Sequence, residues 1–217
     1  MSDDEPAPPE RARTLVVRVW LPDRPGALGQ VASRIGAVHG DVTAIDILER
    51  GGGRVVDELV VSLPESASVD LLAKEIGAVD GVAVEQIRHV SDERPDSATA
   101  VLQLAAHVAE TDAGGRLGAL VAGLLVAADA DWAVAVRDGL LVQQLGHPPE
   151  LGWLLAFFEG SEHLDPSCAS AGAPNDVMWA RLPASAIVIA AGRARRAVHE
   201  RERTRIALLA RVVDRLL

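Results

Sequence analysis

Asp23-Arg24-Pro25-Gly26-Ala27-Leu28 is the segment whose residue types best fit a binding chemistry. A proline presets the first turn of a helix, because its missing N–H has no intrahelical role there. Gly26 has no Cβ, so backbone or ligand can come close. The N–H groups of Gly26, Ala27 and Leu28 then lack intrahelical acceptors and face out of a helix N-terminus. Such an end attracts a carboxylate or a phosphate. Asp41 opens the next strand in a Gly40-Asp41-Val42 step. Asp23 and Asp41 would repel a ligand carboxylate and suit a ligand ammonium. The plainer alternative is that Asp23 caps the helix and Asp41 forms a turn.

Other constellations are poorer. Cys168 follows His163 by five residues in a loop rich in Ala and Ser, but a Cys–His pair needs proximity and an orienting third group. His147 and His163 with Glu150, Glu159 or Glu162 match no metal-ligand spacing. His39, His89, His107 and His199 are scattered and read as surface or helix-end residues. Gly51-Gly52-Gly53 has no Lys-Ser/Thr after it and is no phosphate loop. Trp132, Trp153 and Trp179 read as core fillers rather than a cofactor stack. No catalytic residue, metal or cofactor is expected.

The elements that position these residues follow from apolar rhythm. Residues 1–13 hold Pro6, Pro8, Pro9 and four acids without periodicity, and read as a disordered tail. Thr14 to Trp20 alternates as a strand. Leu28, Val31, Ile35 and Val38 form a helical stripe, stopped by Gly40. Val42 to Glu49 is a strand, the triple glycine a hairpin turn, and Arg54 to Leu63 a third strand. Ser68 caps a helix carrying Val69, Leu72, Ile76 and Val79. Gly81 ends it, and Val82 to Val90 is the fourth strand. The order βαββαβ predicts a ferredoxin-like antiparallel sheet with both helices on one face.

This order with the Asp23–Leu28 turn and Gly40-Asp41-Val42 resembles the ACT domain family over residues 14–90. The resemblance implies a regulatory module that binds amino acids, usually where two such domains pair. Family members that bind amino acids often carry Asn at the positions of Asp23 and Asp41, so both acids are departures, and the geometry the resemblance implies puts an α-carboxylate on the helix end and an α-amine against the two acids. Some members carry His where this chain has Leu21.

The polar break Ser91-Asp92-Glu93-Arg94-Pro95-Asp96 marks a linker over residues 91–98. Beyond it, helices are expected at about Ser97–Ala109 and Gly115–Ala128, the second apolar on most sides and so central. Trp132–Arg137 and Leu140–Leu145 form a hairpin through Asp138-Gly139. Pro148–Phe158 is helical and Gly160–Asn175 a loop. Val177–Leu182 and Ala186–Ala191 pair around Pro183-Ala184, and a long helix, Arg195–Leu217, closes the chain. Residues 99–217, above all Asp176–Leu217, resemble the GAF-like family of sensory domains. That implies a second sensory or dimerising module and does not imply catalysis. The fold class expected is therefore α+β throughout.

Composition sets outer bounds. The formal charge is −10 and argues against general nucleic-acid binding. Eight Arg stand against Glu200, Glu202 and Asp214 within residues 193–217, a solvated face or a docking patch for an acidic partner. Arg outnumbers Lys twenty to one, a bias of GC-rich genomes. One cysteine fits a reducing compartment, the acidic start is unlike a secretory signal, and the apolar run Leu117–Ala128 is too short to span a bilayer. The expectation is a cytoplasmic, non-enzymatic regulatory homodimer with a small-molecule ligand, and no nucleic-acid or membrane partner. A ligand-free interaction scaffold, or an enzyme in the second domain governed by the first, are the alternatives.

Overall fold

The computed structural model describes residues 11–161 and 176–217, and the chain divides into two units at Arg94/Pro95. Both are α+β. Among the described residues there are two four-stranded antiparallel sheets and six helices. No helix of these residues is long and apolar enough to cross a membrane.

The first unit runs β1 (Ala12–Pro22), α1 (Ala27–Ala37), β2 (Asp41–Gly51), β3 (Arg54–Pro64), α2 (Val69–Gly77), β4 (Ala83–His89). The sheet order is β2-β3-β1-β4, so β1 is central and pairs with β3 and β4. Period-2 alternation puts Leu15, Val17, Val19 and Leu21 of β1 on one face. They bury with Leu59, Val61 and Leu63 of β3, Val31 and Ile35 of α1, and Leu72 and Ile76 of α2. Both helices thus share one face. On the other face Arg18 and Glu58, paired across β1 and β3, form a buried ion pair of 2.7 Å, joined by Arg94 at 3.6 Å. The β2–β3 hairpin turns through Gly52 and Gly53 with φ of 58° and 75°, values that suit glycine in a tight hairpin turn. Ser68 caps α2 by accepting from Leu71 N at 3.4 Å.

The second unit runs α3 (Ser97–Glu110), α4 (Arg116–Ala127), β5 (Trp132–Arg137), β6 (Leu140–Gly146), α5 (Leu151–Gly160), β7 (Val177–Leu182), β8 (Ile187–Gly192), α6 (Glu200–Val213). The sheet order is β6-β5-β8-β7. Its two faces bury different sets. Ala133, Ala135, Met178, Ala180 and Ile189 pack with Leu104, Leu120, Leu124 and Ile206 from α3, α4 and α6. Trp132, Val134, Trp179 and Ala190 pack with Leu154 and Phe158 of α5.

Two expectations need correction here. The closing helix is Glu200–Val213 rather than Arg195–Leu217. Residues 193–199 instead carry a polar knot. Arg193 donates to Glu202 at 2.7 Å and to Ala197 O at 2.8 Å, while Glu202 accepts from His199 N at 2.9 Å, which starts the helix at Glu200. His199, the N-cap of that helix, is a helix-end residue and is buried. Helix α4 is not buried all round: Leu120, Val121 and Leu124 face the core, while Val126 is 71% exposed. The loop expected at Gly160–Asn175 lies almost wholly outside the described residues.

Candidate functional site

The turn between β1 and α1 is built by the sheet. Asp23 N donates to Gly53 O at 2.9 Å, which ties the turn to the β2–β3 hairpin. Arg24 N donates to Pro22 O at 2.8 Å, and Ala27 N to Arg24 O at 3.3 Å. The N-cap of α1 is Gly26, with φ 83°. Nothing lies within 4 Å of where a Cβ would stand there, so backbone conformation rather than crowding asks for glycine. Pro25 therefore precedes the cap instead of occupying the first helical position. Asp23 does not cap the helix either: no side chain caps α1. Residues 23–26 are exposed, Ala27 is buried, and Leu28 is half-buried. Arg24 Nη2 reaches Gln30 Oε1 at 3.2 Å, which holds a cation beside the same helix end. The arrangement offers an uncapped, positively polarised helix end for an anion.

Asp41 lies elsewhere. It opens β2 opposite Ser62, which is also the partner of Thr14 at the start of β1, whereas Pro22 at the end of β1 faces Arg54. The two acids are therefore separated by most of the length of β3, about 26 Å at strand rise. Within one chain Asp23 and Asp41 cannot contact one small ligand together.

The acid that does neighbour the turn is Asp57. On β3 it stands in phase with Val55, Leu59, Val61 and Leu63, the helix-facing set, and pairs with Val19 of β1 and Ile47 of β2. Only 2% of Asp57 is exposed, and its Oδ1 has no hydrogen-bond partner. Burial pushes its carboxyl above the ordinary 3.8, Arg50 pulls it back, and the nearby charges of Asp23 and Asp46 push it further up. The sequence signal for it existed: an acid on the apolar beat of an alternating strand. Reading Arg54–Leu63 only as a strand passed over it.

The remaining candidates do not assemble. Cys168, His163 and Glu162 lie outside the described residues. Among the described residues no group of three His, Cys, Asp or Glu is placed to hold a metal ion. Trp132 and Trp179 are buried against α5, while Trp153 is 44% exposed and stacks on Phe157 at 5.4 Å between ring centres. Several of the eight C-terminal Arg are engaged internally. Arg193 binds Glu202, Arg196 binds Asp129 at 2.8 Å and Asp131 at 2.6 Å, and Arg203 donates to Val177 O at 2.6 Å. A hollow of about 270 Å³ in the second unit is lined by Val136, Asp138, Leu155, Phe158, Glu159 and Arg181 among others. Arg181 is anchored there by donating to Phe158 O at 2.9 Å.

No protein-family profile and no curated protein matches the chain. Among solved structures, an unknown protein from Galdieria sulphuraria aligns at 12% identity over 84% of this chain and 81% of that one, with a TM-score of 0.33. A formyltetrahydrofolate deformylase from Pseudomonas putida KT2440 aligns at 19% identity over 49% of this chain and 39% of that one, with a TM-score of 0.30. Likeness at these scores supports no statement about fold, ancestry or activity.

Proposed function

We propose that this chain is a non-enzymatic regulatory protein that binds an amino acid at the β1–α1 turn of an ACT-type first domain. The observation that carries the reading is the end of α1: Gly26 opens it in a left-handed conformation, and no side chain caps it. An N-terminus left open in this way suits a carboxylate. Arg24 adds a second positive group at the same end.

The reading is of a cytoplasmic homodimer, in which ligand sits where two ACT-type domains pair. Pairing would explain why Asp41 is remote from Asp23 in one chain, since the second acid would then come from the other copy. The second, GAF-like unit would sense or dimerise. Ligand would shift the balance of paired arrangements only by as much as it binds one of them better.

Calorimetric titration of the full chain with each of the twenty protein amino acids tests this. Saturable heat with one or a few is expected. A folded sample that gives no heat with any of them refutes the function.

A further inference from the structure

We infer that Asp57 is the ammonium-recognising residue of the ligand site at the β1–α1 turn, so that the site takes compounds carrying a carboxylate and a cationic amine together and rejects their 2-oxo and 2-hydroxy counterparts. This rests on the amino-acid-binding reading and adds to it the part of the ligand that is selected.

The placement comes from register. Arg54, opposite Pro22, marks the level at which β1 leaves the sheet, and Asp57 lies three residues further along β3. Its side chain shares the face on which α1 packs. Ala27, the first residue of α1, buries in one cluster with Val19, Leu21 and Val55, the residues that surround Asp57 in the sheet. Ala27 thus buries on the same face of the sheet as Asp57. Asp23, in the turn itself, is close enough for its charge to act on Asp57.

The chemistry comes from what Asp57 lacks. A buried carboxyl normally has a donor, and one without a donor is costly. Oδ1 of Asp57 has none. Asp23 and Asp46 make the surroundings more negative, and Arg50 is the protein cation that opposes them. Such a group gains most from a ligand that brings its own positive charge and N–H donors. A metal ion is the poorer fit, since no three acids or histidines among the described residues converge to hold one. An anion-accepting helix end and a donor-seeking carboxyl on the face beneath it are complementary to the two ends of an α-amino acid.

The experiment uses the full chain. After the twenty amino acids have been titrated, the tightest binder is compared with its 2-hydroxy and 2-oxo analogues on the unaltered protein and on Asp57→Asn. At least tenfold weaker binding of both analogues to the unaltered protein is expected. Asp57→Asn should bind the amino acid at least tenfold more weakly, keep its affinity for the analogues, and melt no lower than the parent. Analogues that bind the unaltered protein as tightly as the amino acid overturn the inference, and that comparison needs no variant to fold. Equal affinity of Asp57→Asn and parent for the amino acid overturns it too, because a protonated, purely structural Asp57 would behave that way. If the parent binds none of the twenty, the amino-acid reading itself fails and the inference goes with it.

Discussion

Replacing Arg193 by Met removes the centre of the polar knot that joins β8 to α6. The Arg193 side chain is fully buried, with both Glu202 carboxylate oxygens 2.7 Å from Nη2. It also donates to Ala197 O at 2.8 Å and to Ala128 O at 3.3 Å. Asp129 lies 3.9 Å away. Methionine keeps much of the volume, so the loss is electrostatic. It takes the Arg193 cation from Glu202, which is 13% exposed and also accepts from His199 N, and removes a donor from the Ala128 and Ala197 carbonyls. Breaking one side of a buried pair costs about 3–5 kcal/mol. At roughly 3–4 °C per kcal/mol for a unit of this size, a loss near 4 kcal/mol lowers the midpoint by roughly 12–16 °C. The assay is thermal and urea unfolding of the full chain by circular dichroism. Adding Glu202→Gln removes the carboxylate charge while keeping an acceptor for His199 N, and should restore about half the loss. A single variant that costs less than about 1 kcal/mol, or a double variant no more stable than the single, refutes the argument, since the penalty depends on a buried carboxylate that has lost its cation.

Two further variants test local structure. Gly192→Ala puts a Cβ 2.3 Å from Trp132 Cζ2; the ring is boxed in by the α5-side core, so overpacking of about 1–3 kcal/mol and a shifted tryptophan emission spectrum are expected, and an unchanged melt would show that the ring moves freely. Asp96→Ala deletes the α3 N-cap, which accepts from Ala98 N and Thr99 N at 3.0 Å, at a cost of about 1 kcal/mol. Hydrogen bonds from the Thr99 hydroxyl and the Thr99 and Ala98 N–H groups hold the Asp96 carboxyl below its ordinary 3.8. A depressed folded value means stability present above 3.8 and lost as pH falls from there toward the folded value. The gap between parent and Asp96→Ala should therefore narrow in acid, and a gap that widens on acidification would contradict the assignment.

The parts of the fold legible in the sequence were those fixed by neighbours along the chain. The hairpins at Gly52-Gly53 and Asp138-Gly139 have central residues at positive φ, and their residue types announce it. The stripes of α1 and α2 identified their buried faces correctly, while β1, legible as a strand, is buried on both faces. What depended on distant partners was not legible. The N-terminus of α6 is set by Arg193 reaching Glu202, which helical periodicity cannot register. The exposed side of α4, with Val126, reflects which elements happen to cover it. Residue order put Asp23 and Asp41 in one hypothesis, but strand register puts them at opposite ends of the sheet and brings Asp57 to the turn instead.

Strand order also bears on how the chain is made. The central strand of each sheet waits for a partner encoded far downstream: Val17 of β1 for Ile87 of β4, and Val136 of β5 for Val188 of β8. At ribosomal rates of roughly 5–20 residues per second, those gaps last about 3–14 s. The β5–β6 hairpin can close early, but a lone hairpin is marginally stable in water. In that interval α3, α4 and then α5 are already made and can cover the two faces of Trp132–Arg137, but the strand edge that β8 will fill stays unpaired. Synthesis, more than the finished molecule, is where this architecture is most exposed to association with other nascent chains.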